Sequence, residues 1–577
     1  MASARRHRVG FHNLKPLSLT ENSDSSSGTY YIQPTPEKKS KRCPNLCTMF
    51  WIFLVFCVIF VLGGFVGYYL REATSEEHGD SASDGPRQTD HFAGRKNPLW
   101  LDRETTLTVH ENTMYGITGE SIAKNLRHLP GYANTMSGGE WDKLSALKVK
   151  VMLEKLRFDH VELHQHQVAL SFPDPKNPNK IQRLNSQGEI MEEISLVQKR
   201  ATPQSGGENV TDKIWEHDLY PDPYVAFSGT GSVKGPLVYG HYGRVQDIAM
   251  LHRRKINTTN AVFLVRLGEI PVEDKISYIK EAGAKAVLFY WDPVDTFANS
   301  TKSGYSHIPY ASIDSQIFNE EEHILAQTVS METAEVLLRD QVGSQVPSSW
   351  SGGLNVTYRL GNKVGKPFVQ LTVTNKIEKK FIYNVVATIH GSIEPDRYVY
   401  IGAPRTSFPD VAMETKLSTA MLISTGQALH DSLSLTSVHW VPRRTIKLCS
   451  WGGAEFSDLG MKLYLQKRKN VLLSKAVVYL DLGQPVRGNQ TLNVTAAPSQ
   501  QALIYAAATR VPDAVKNQLT LYRVWSEWEK LSTGMPTPSL SYYPTEDRTY
   551  PMFDTLGVSS ISYQYAPTHN FHFVSKS

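Results

Sequence analysis

The chain has 577 residues, too many for one ordinary hydrophobic core, so roughly two to four domains are expected. Its apolar fraction of 41% is that of a globular protein, and 61 basic against 56 acidic residues leave a formal net charge of only +5. That charge is too small and too dispersed for nucleic acid, which is set aside as a partner.

Residues 1–48 pair an arginine-rich start with polar runs such as "TENSDSSSGTYY", a composition that cannot bury a core and reads as a disordered cytosolic tail. Residues 49–70, "MFWIFLVFCVIFVLGGFVGYYL", hold no Asp, Glu, Lys, Arg or His over 22 positions. At a helical rise of about 1.5 Å they span a hydrocarbon core of about 30 Å, which predicts one transmembrane helix with membrane lipid as its partner. A cleaved signal peptide would carry a shorter apolar run nearer the start. Lys38, Lys39, Lys41 and Arg42 precede the run, whereas Arg71 is followed by Glu72, Glu76 and Glu77. This asymmetry places the N-terminus in the cytosol and about 500 residues outside, the layout of a single-pass type II protein of the plasma membrane or endosomes.

The six N-glycosylation triplets, at Asn209, Asn257, Asn299, Asn355, Asn489 and Asn493, all follow the apolar run, in keeping with that orientation. Cys43, Cys47 and Cys57 lie in or beside it and only Cys449 lies beyond, so no intrachain disulfide can staple the outer part. Cys43 and Cys47 are candidate palmitoylation sites. Residues 71–97 read as a solvated stalk.

Globular sequence begins near residue 98. In "GEWDKLSALKVKVMLEKLR" (139–157), Trp141, Leu144, Leu147, Val151 and Met152 recur at helical spacing and predict a buried helix face. "HVELHQHQVALSF" (160–172) alternates as a strand with His160, Glu162, His164 and His166 on one face. That spacing could seat a metal, but a solvated polar strand face is the plainer expectation. Between 196 and 370, "AVFLVRLG", "VEDKISYIKEAG" and "AVLFYW" form a strand–helix–strand unit with no convergent acids, bases and nucleophiles, as in a binding or spacer domain. From 371 to 577, "FIYNVVATIHG", "RYVYIGA", "RTIKLCSW" and "AVVYLDLG" read as strands with helices between them. They predict a largely parallel α/β sheet with helices on both faces. Strands ending at Ala403, Trp451 and Leu482 deliver the loops where such sheets place chemistry.

The stretches "YNVVATIHGSIEPDRYVYIGA", "VPRRTIKLCSWGGAEFSDLG" and "LVRLGEIPVEDKISYIKEAGAKAVLFYWDPVD" resemble the family of the transferrin receptor and the membrane glutamate carboxypeptidases, or N-acetylated-alpha-linked acidic dipeptidases. "KRCPNLC", "GGFVGYYL" and "SWGG" with "PVRGN" look closest to its inactive dipeptidase-like branch. The resemblance implies a zinc-aminopeptidase-like α/β fold, a mixed sheet with flanking helices. Its two parts, 98–195 and 371–577, would be interrupted by a protease-associated apical domain at 196–370. It also implies that the chain ends at Ser577 before the peptidase-like domain is complete and without the helical dimerisation domain, so a family-type homodimer is not expected.

Active members of that family hold two zinc ions with histidines and carboxylates, and a free glutamate activates water. The resemblance carries the first histidine ligand to Pro404 and the bridging aspartate to Glu414. It carries the general base to Ala454, its neighbouring ligand to Glu455 and the next aspartate to Gly483. The last histidine stays unassigned near His569 and His572. Asp481, two residues from Gly483, shares its strand face at a different depth. The implied protein is a catalytically inactive type II glycoprotein with no cofactor, a receptor or scaffold for an unknown extracellular protein. The alternatives are a transferrin-receptor-like iron-uptake receptor and a residual metal-dependent carboxypeptidase or dipeptidase.

Overall fold

A computed structural model describes residues 103–130, 136–156, 158–185, 187–198, 221–295, 302–315, 324–361, 368–435, 441–486, 488–542 and 550–566. The apolar run 49–70, the tail and stalk, Cys43, Cys47, Asn209, Asn299, His569 and His572 lie outside the described residues. Among those described, no helix is long and apolar enough to cross a membrane.

Two seven-stranded sheets organise the chain. Strand β1 (His160–Phe172) belongs to the first sheet. The chain then leaves for the second, building β2 (Lys180–Leu184), β3 (Ile190–Ile194), β4 (Val225–Ala226), β5 (Gly231–Tyr239), β6 (Val262–Arg266), β7 (Ala286–Tyr290), β8 (Ala311–Ser312), β9 (Leu325–Thr328) and β10 (Phe368–Val373). The second sheet runs β3-β2-β10-β5-β6-β7-β9, while β4 and β8 form a small pair of their own. β6 and β7 are buried at every position, because both faces of their parallel sheet are covered. Charged groups are buried there too: Lys275 Nζ donates to the carbonyls of Tyr242 (2.7 Å) and Gly268 (2.5 Å), and Arg266 donates from Nη2 to the Trp350 carbonyl at 3.1 Å and pairs with Asp292 at 3.4 Å.

The chain returns as β11 (Lys376–Ile389), which pairs antiparallel with β1 along its whole length, from His160 opposite Thr388 to Phe172 opposite Lys376. β12 (Glu394–Pro404), β13 (Arg444–Trp451), β14 (Ala476–Asp481), β15 (Thr491–Ala496) and β16 (Ser559–Ala566) complete the first sheet in the order β1-β11-β13-β12-β14-β16-β15. The expected largely parallel sheet is a mixed one. β13, β12, β14 and β16 are parallel to one another, and antiparallel strands extend both flanks. Helices Glu140–Glu154 and Ala412–Leu435 cover one face over Tyr383, Val385, Ile401, Ala403 and Leu448. Helix Leu459–Lys475 covers the other over Val386, Tyr400, Cys449 and Trp451.

Two sequence expectations are corrected. Helix Glu140–Glu154 buries Asp142, Ala146, Val149 and Leu153 and turns Trp141, Leu144 and Val151 to solvent. Small side chains let it lie close on the sheet, where the larger ones on the other stripe would not fit. Likewise the polar face of β1 is covered over His164 and in part over Glu162 and His166, and only His160 is fully solvated. Helix Leu459–Lys475 lies over it, with Arg468 3.4 Å from Glu162 and the His164 ring edge-on to Tyr464. His164 Nε2 sits 2.9 Å from the Glu162 carboxylate, a bond that pulls this acid down to about 2. No group of three or more metal-binding side chains forms here or elsewhere among the described residues.

The sheets meet at an aromatic seam. Phe456 is fully buried, with ring centroids 5.9–6.0 Å from Phe172, Phe227 and Phe408. Phe408 in turn stacks on Tyr310 at 5.2 Å and meets Tyr224 at 6.0 Å. An ion pair between Lys462 and Asp314 lies in the same junction. Removing a fully buried ring of this kind costs about 3–5 kcal/mol. Phe456→Ala is therefore expected to lower the melting temperature and to split one calorimetric transition into two. A single transition with an unshifted midpoint would show that the seam does not couple the sheets.

Candidate functional site

Parallel strands β13, β12 and β14 end side by side, and their C-terminal loops bring together the residues singled out from sequence. Pro404 closes β12 opposite Trp451, a place where its missing N–H does no harm to the ladder. Glu414 begins helix Ala412–Leu435, Ala454 and Glu455 follow β13, and Gly483 follows β14. Backbone bonds fix this edge: Arg405 N–H donates to the Trp451 carbonyl at 2.8 Å and Leu482 N–H to the Gly402 carbonyl at 2.8 Å. Thr419 Oγ1 donates to the Pro404 carbonyl at 2.9 Å, and Ser418 Oγ to the Gly483 carbonyl at 2.8 Å.

Glu455 is the one buried carboxylate of the set facing the seam. Its Oε1 accepts the Ser137 N–H at 2.5 Å, and its Oε2 has no partner. Burial pushes its carboxyl up to about 7, against the downward pull of the Ser137 and Thr406 hydrogen bonds. Ser137 Oγ donates to Thr406 Oγ1 at 2.9 Å and accepts Gly453 N–H at 2.8 Å; Thr406 Oγ1 also accepts Ala454 N–H at 3.2 Å. These short links tie the 137 loop to the loops after β12 and β13. Tyr224, fully buried, feels Glu455 closely enough for that charge to help raise its phenol, second to burial.

Arg405, the residue after Pro404, holds the edge together. Its guanidinium donates to Asp142 Oδ1 (2.6 Å), the Tyr383 carbonyl (2.6 Å) and Ser145 Oγ (3.1 Å). Both side chains of the Arg405–Asp142 pair are at most 2% exposed. Asp142 had a legible signal, since it falls on the helical stripe of Ala146, Val149 and Leu153. Asp481 is fully engaged too: Oδ1 accepts the Tyr479 hydroxyl at 3.0 Å and Oδ2 the Gly483 N–H at 2.8 Å, while Trp451 Nε1 donates to that same hydroxyl at 3.1 Å. In the described glycosylation triplets the asparagines Asn257, Asn355, Asn489 and Asn493 are all exposed.

A model of the PA domain matches residues 233–320, within the second sheet. The chain is 29% identical over 455 residues to transferrin receptor protein 2 of Rattus norvegicus, covering 71% of this chain and 54% of the relative. It is 26% identical to aminopeptidase NAALADL1 of Rattus norvegicus, covering 80% and 66%. With the human inactive N-acetylated-alpha-linked acidic dipeptidase-like protein 2 it shares 28% identity, covering 82% and 56%. The chain thus spans between about half and two thirds of these relatives. These likenesses match the resemblance to the family of the transferrin receptors and glutamate carboxypeptidases.

Two measurements probe the site. Breaking a buried ion pair strands a charge and costs about 3–5 kcal/mol, whereas an apolar pair of similar volume is tolerated. Arg405→Met is therefore expected to be strongly destabilising, and Arg405→Met with Asp142→Leu to recover most of the loss in chemical denaturation; additive losses would contradict the pairing. Glu455 has a folded pKa raised from 4.5 to about 7, so its contribution to stability is full below pH 4.5 and lost as pH rises through 7. Glu455→Gln is expected to raise the melting temperature relative to wild type at pH 8, the gap closing towards pH 5. A pH-independent gap would show that the carboxyl is not desolvated.

Proposed function

We propose that this chain acts as a catalytically inactive membrane glycoprotein with a receptor-like or scaffold role, its globular part outside the cell. The observation that carries the reading is the set of side chains at the edge where β12, β13 and β14 end. In the family's arrangement this edge holds two zinc ions. Here the corresponding positions are Pro404 and Gly483, which have no donor atom, and Ala454, which cannot accept a proton from water. Glu414 and Glu455 remain, and Glu455 turns one oxygen to Ser137 N–H beneath the aromatic seam. Asp481 engages the Tyr479 hydroxyl and the Gly483 N–H with its two oxygens. Two carboxylates do not make a di-zinc site.

The loop after β13 supports the same reading. The family's aspartate falls at Gly452, where an added Cβ would lie 2.5 Å from the Tyr383 carbonyl and 3.0 Å from Arg405 Nη2. Gly453 follows with a left-handed φ of +68°, a conformation that glycine adopts freely.

Iron uptake is the second reading, favoured by the likeness to transferrin receptor protein 2; binding of iron-loaded transferrin to the full chain would support it. The primary reading is tested by metal analysis and peptide hydrolysis on the full chain. We expect less than about 0.1 zinc per chain and no chelator-sensitive cleavage of acidic dipeptides, since each missing ligand removes at least tenfold in affinity. Two zinc ions per chain with such cleavage would overturn it.

A further inference from the structure

The first sheet has one long open edge. Its strand order leaves β1 and β15 outermost. β15 has six residues and is partly closed by Ser541, which bonds to Val494 and Ala496. β1 has 13 residues and pairs with β11 without a break in register. It contains no Pro, no Lys and no bulge, the devices that keep an edge from pairing, and its single acid, Glu162, is held by Arg468 and His164.

The backbone groups on the outer side of β1 can be identified. Alternate residues of an antiparallel edge strand turn both N–H and C=O away from the sheet. Gln165 stands opposite Tyr383, whose carbonyl is taken by Arg405 on the β13 side, and Ser171 gives its carbonyl to the Tyr224 hydroxyl at 2.7 Å. Both observations turn the odd-numbered residues of β1 outward. Val161, Leu163, Gln165, Gln167 and Ala169 thus present their N–H and C=O groups to the outside, without a partner among the described residues. All five are exposed or half-buried.

A two-fold through Gln165 matches this strand to its own copy. Gln165 then faces itself, Leu163 faces Gln167, and His164 faces His166, whose pKa burial lowers to about 4, so no like charges oppose each other along the strand. Helix Glu140–Glu154 adds a second layer. Its Ser145 turns to Arg405 and its buried stripe to the sheet, which leaves Lys143, Leu147, Lys150 and Glu154 overhanging β1. Gly138 lies over Leu170, and rises of about 1.5 Å per helical and about 3.4 Å per strand residue bring the middle of the helix level with Gln165. The same two-fold therefore sets Lys143, which has no ion pair among the described residues, opposite Glu154 of the copy. On the other face Lys467, close enough to His166 to help lower it, comes beside Glu162 of the copy. A lone extended peptide would satisfy the ladder but leave the overhanging flank uncovered.

We infer that β1 is a self-association edge, at which two copies of this chain join their first sheets into one continuous sheet. From Val161 to Ala169 the strand runs about 27 Å, and with one covering helix about 10 Å across the contact amounts to about 1,000 Å² over both copies. That is the lower bound of specific interfaces and corresponds to a reversible dimer.

The test is sedimentation of the full chain in detergent, with association followed on dilution. The expected result is a dimer with a dissociation constant on the order of micromolar. Gln165→Pro removes one outward N–H that the β1–β11 ladder does not use, and is expected to weaken association at least about tenfold with an unchanged melting temperature. Lys143→Glu is expected to weaken it about fivefold, and Lys143→Glu with Glu154→Lys to restore it, a rescue that does not depend on how Gln165→Pro folds. A chain that stays monomeric at about 100 μM would overturn the inference. So would a dimer indifferent to both Gln165→Pro and Lys143→Glu, or a monomer whose outer ladder is protected only by an added extended peptide.

Discussion

The buried pair of Arg405 and Asp142 is the constraint on which the rest of the edge depends. Taking both charges out of water is costly, and the pair is tolerated because nearly every donor of the guanidinium finds an acceptor on a different element. Helix Glu140–Glu154, strands β11 and β13 and the end of β12 converge on that one side chain. The loops carrying Pro404, Thr406 and Glu455 are held where they are because Arg405 is.

Around that fixed point the loops after β12 and β13 are closed by their own side chains and backbone. Hydroxyls and backbone amides satisfy one another across the loops, and Phe408 and Phe456 pack the first sheet against Tyr224, Phe227 and Tyr310, which flank the small β4–β8 pair. A desolvated carboxyl at Glu455 is tolerated in this setting because it accepts a backbone N–H and because, protonated, it carries no charge to bury. The same apolar surroundings that would make a metal-free acid costly when ionised make a neutral one compatible with close packing.

Much of this was legible in the sequence, for identifiable reasons. Runs of β-branched and aromatic residues marked β6, β7, β12 and β13, since buried parallel strands leave little room for polar positions. The loops after Ala403, Trp451 and Leu482 were placed by strand ends alone. What escaped was anything set by which face of an element meets which neighbour. The stripe of Trp141, Leu144 and Val151 looked like a core face by hydrophobicity, but close approach of helix to sheet selected Ala146 and Val149, with Asp142 buried among them by virtue of a cation 263 residues away. The flanking antiparallel strands escaped for the same reason, because strand direction depends on where a long insertion returns.

That return has a consequence of its own. Phe172 and Lys376 stand directly opposite each other at the end of the β1–β11 ladder, so the two ends of a stretch of about 200 residues emerge a single strand spacing apart. Closing so long a loop carries an entropic cost that grows only slowly with its length, and the hairpin beneath it keeps its register whatever the loop contains. The second sheet is in this sense a detachable cassette. Length and surface can change inside it without disturbing the first sheet, except through the rings at the seam and the few polar links beside them, such as Lys462 with Asp314.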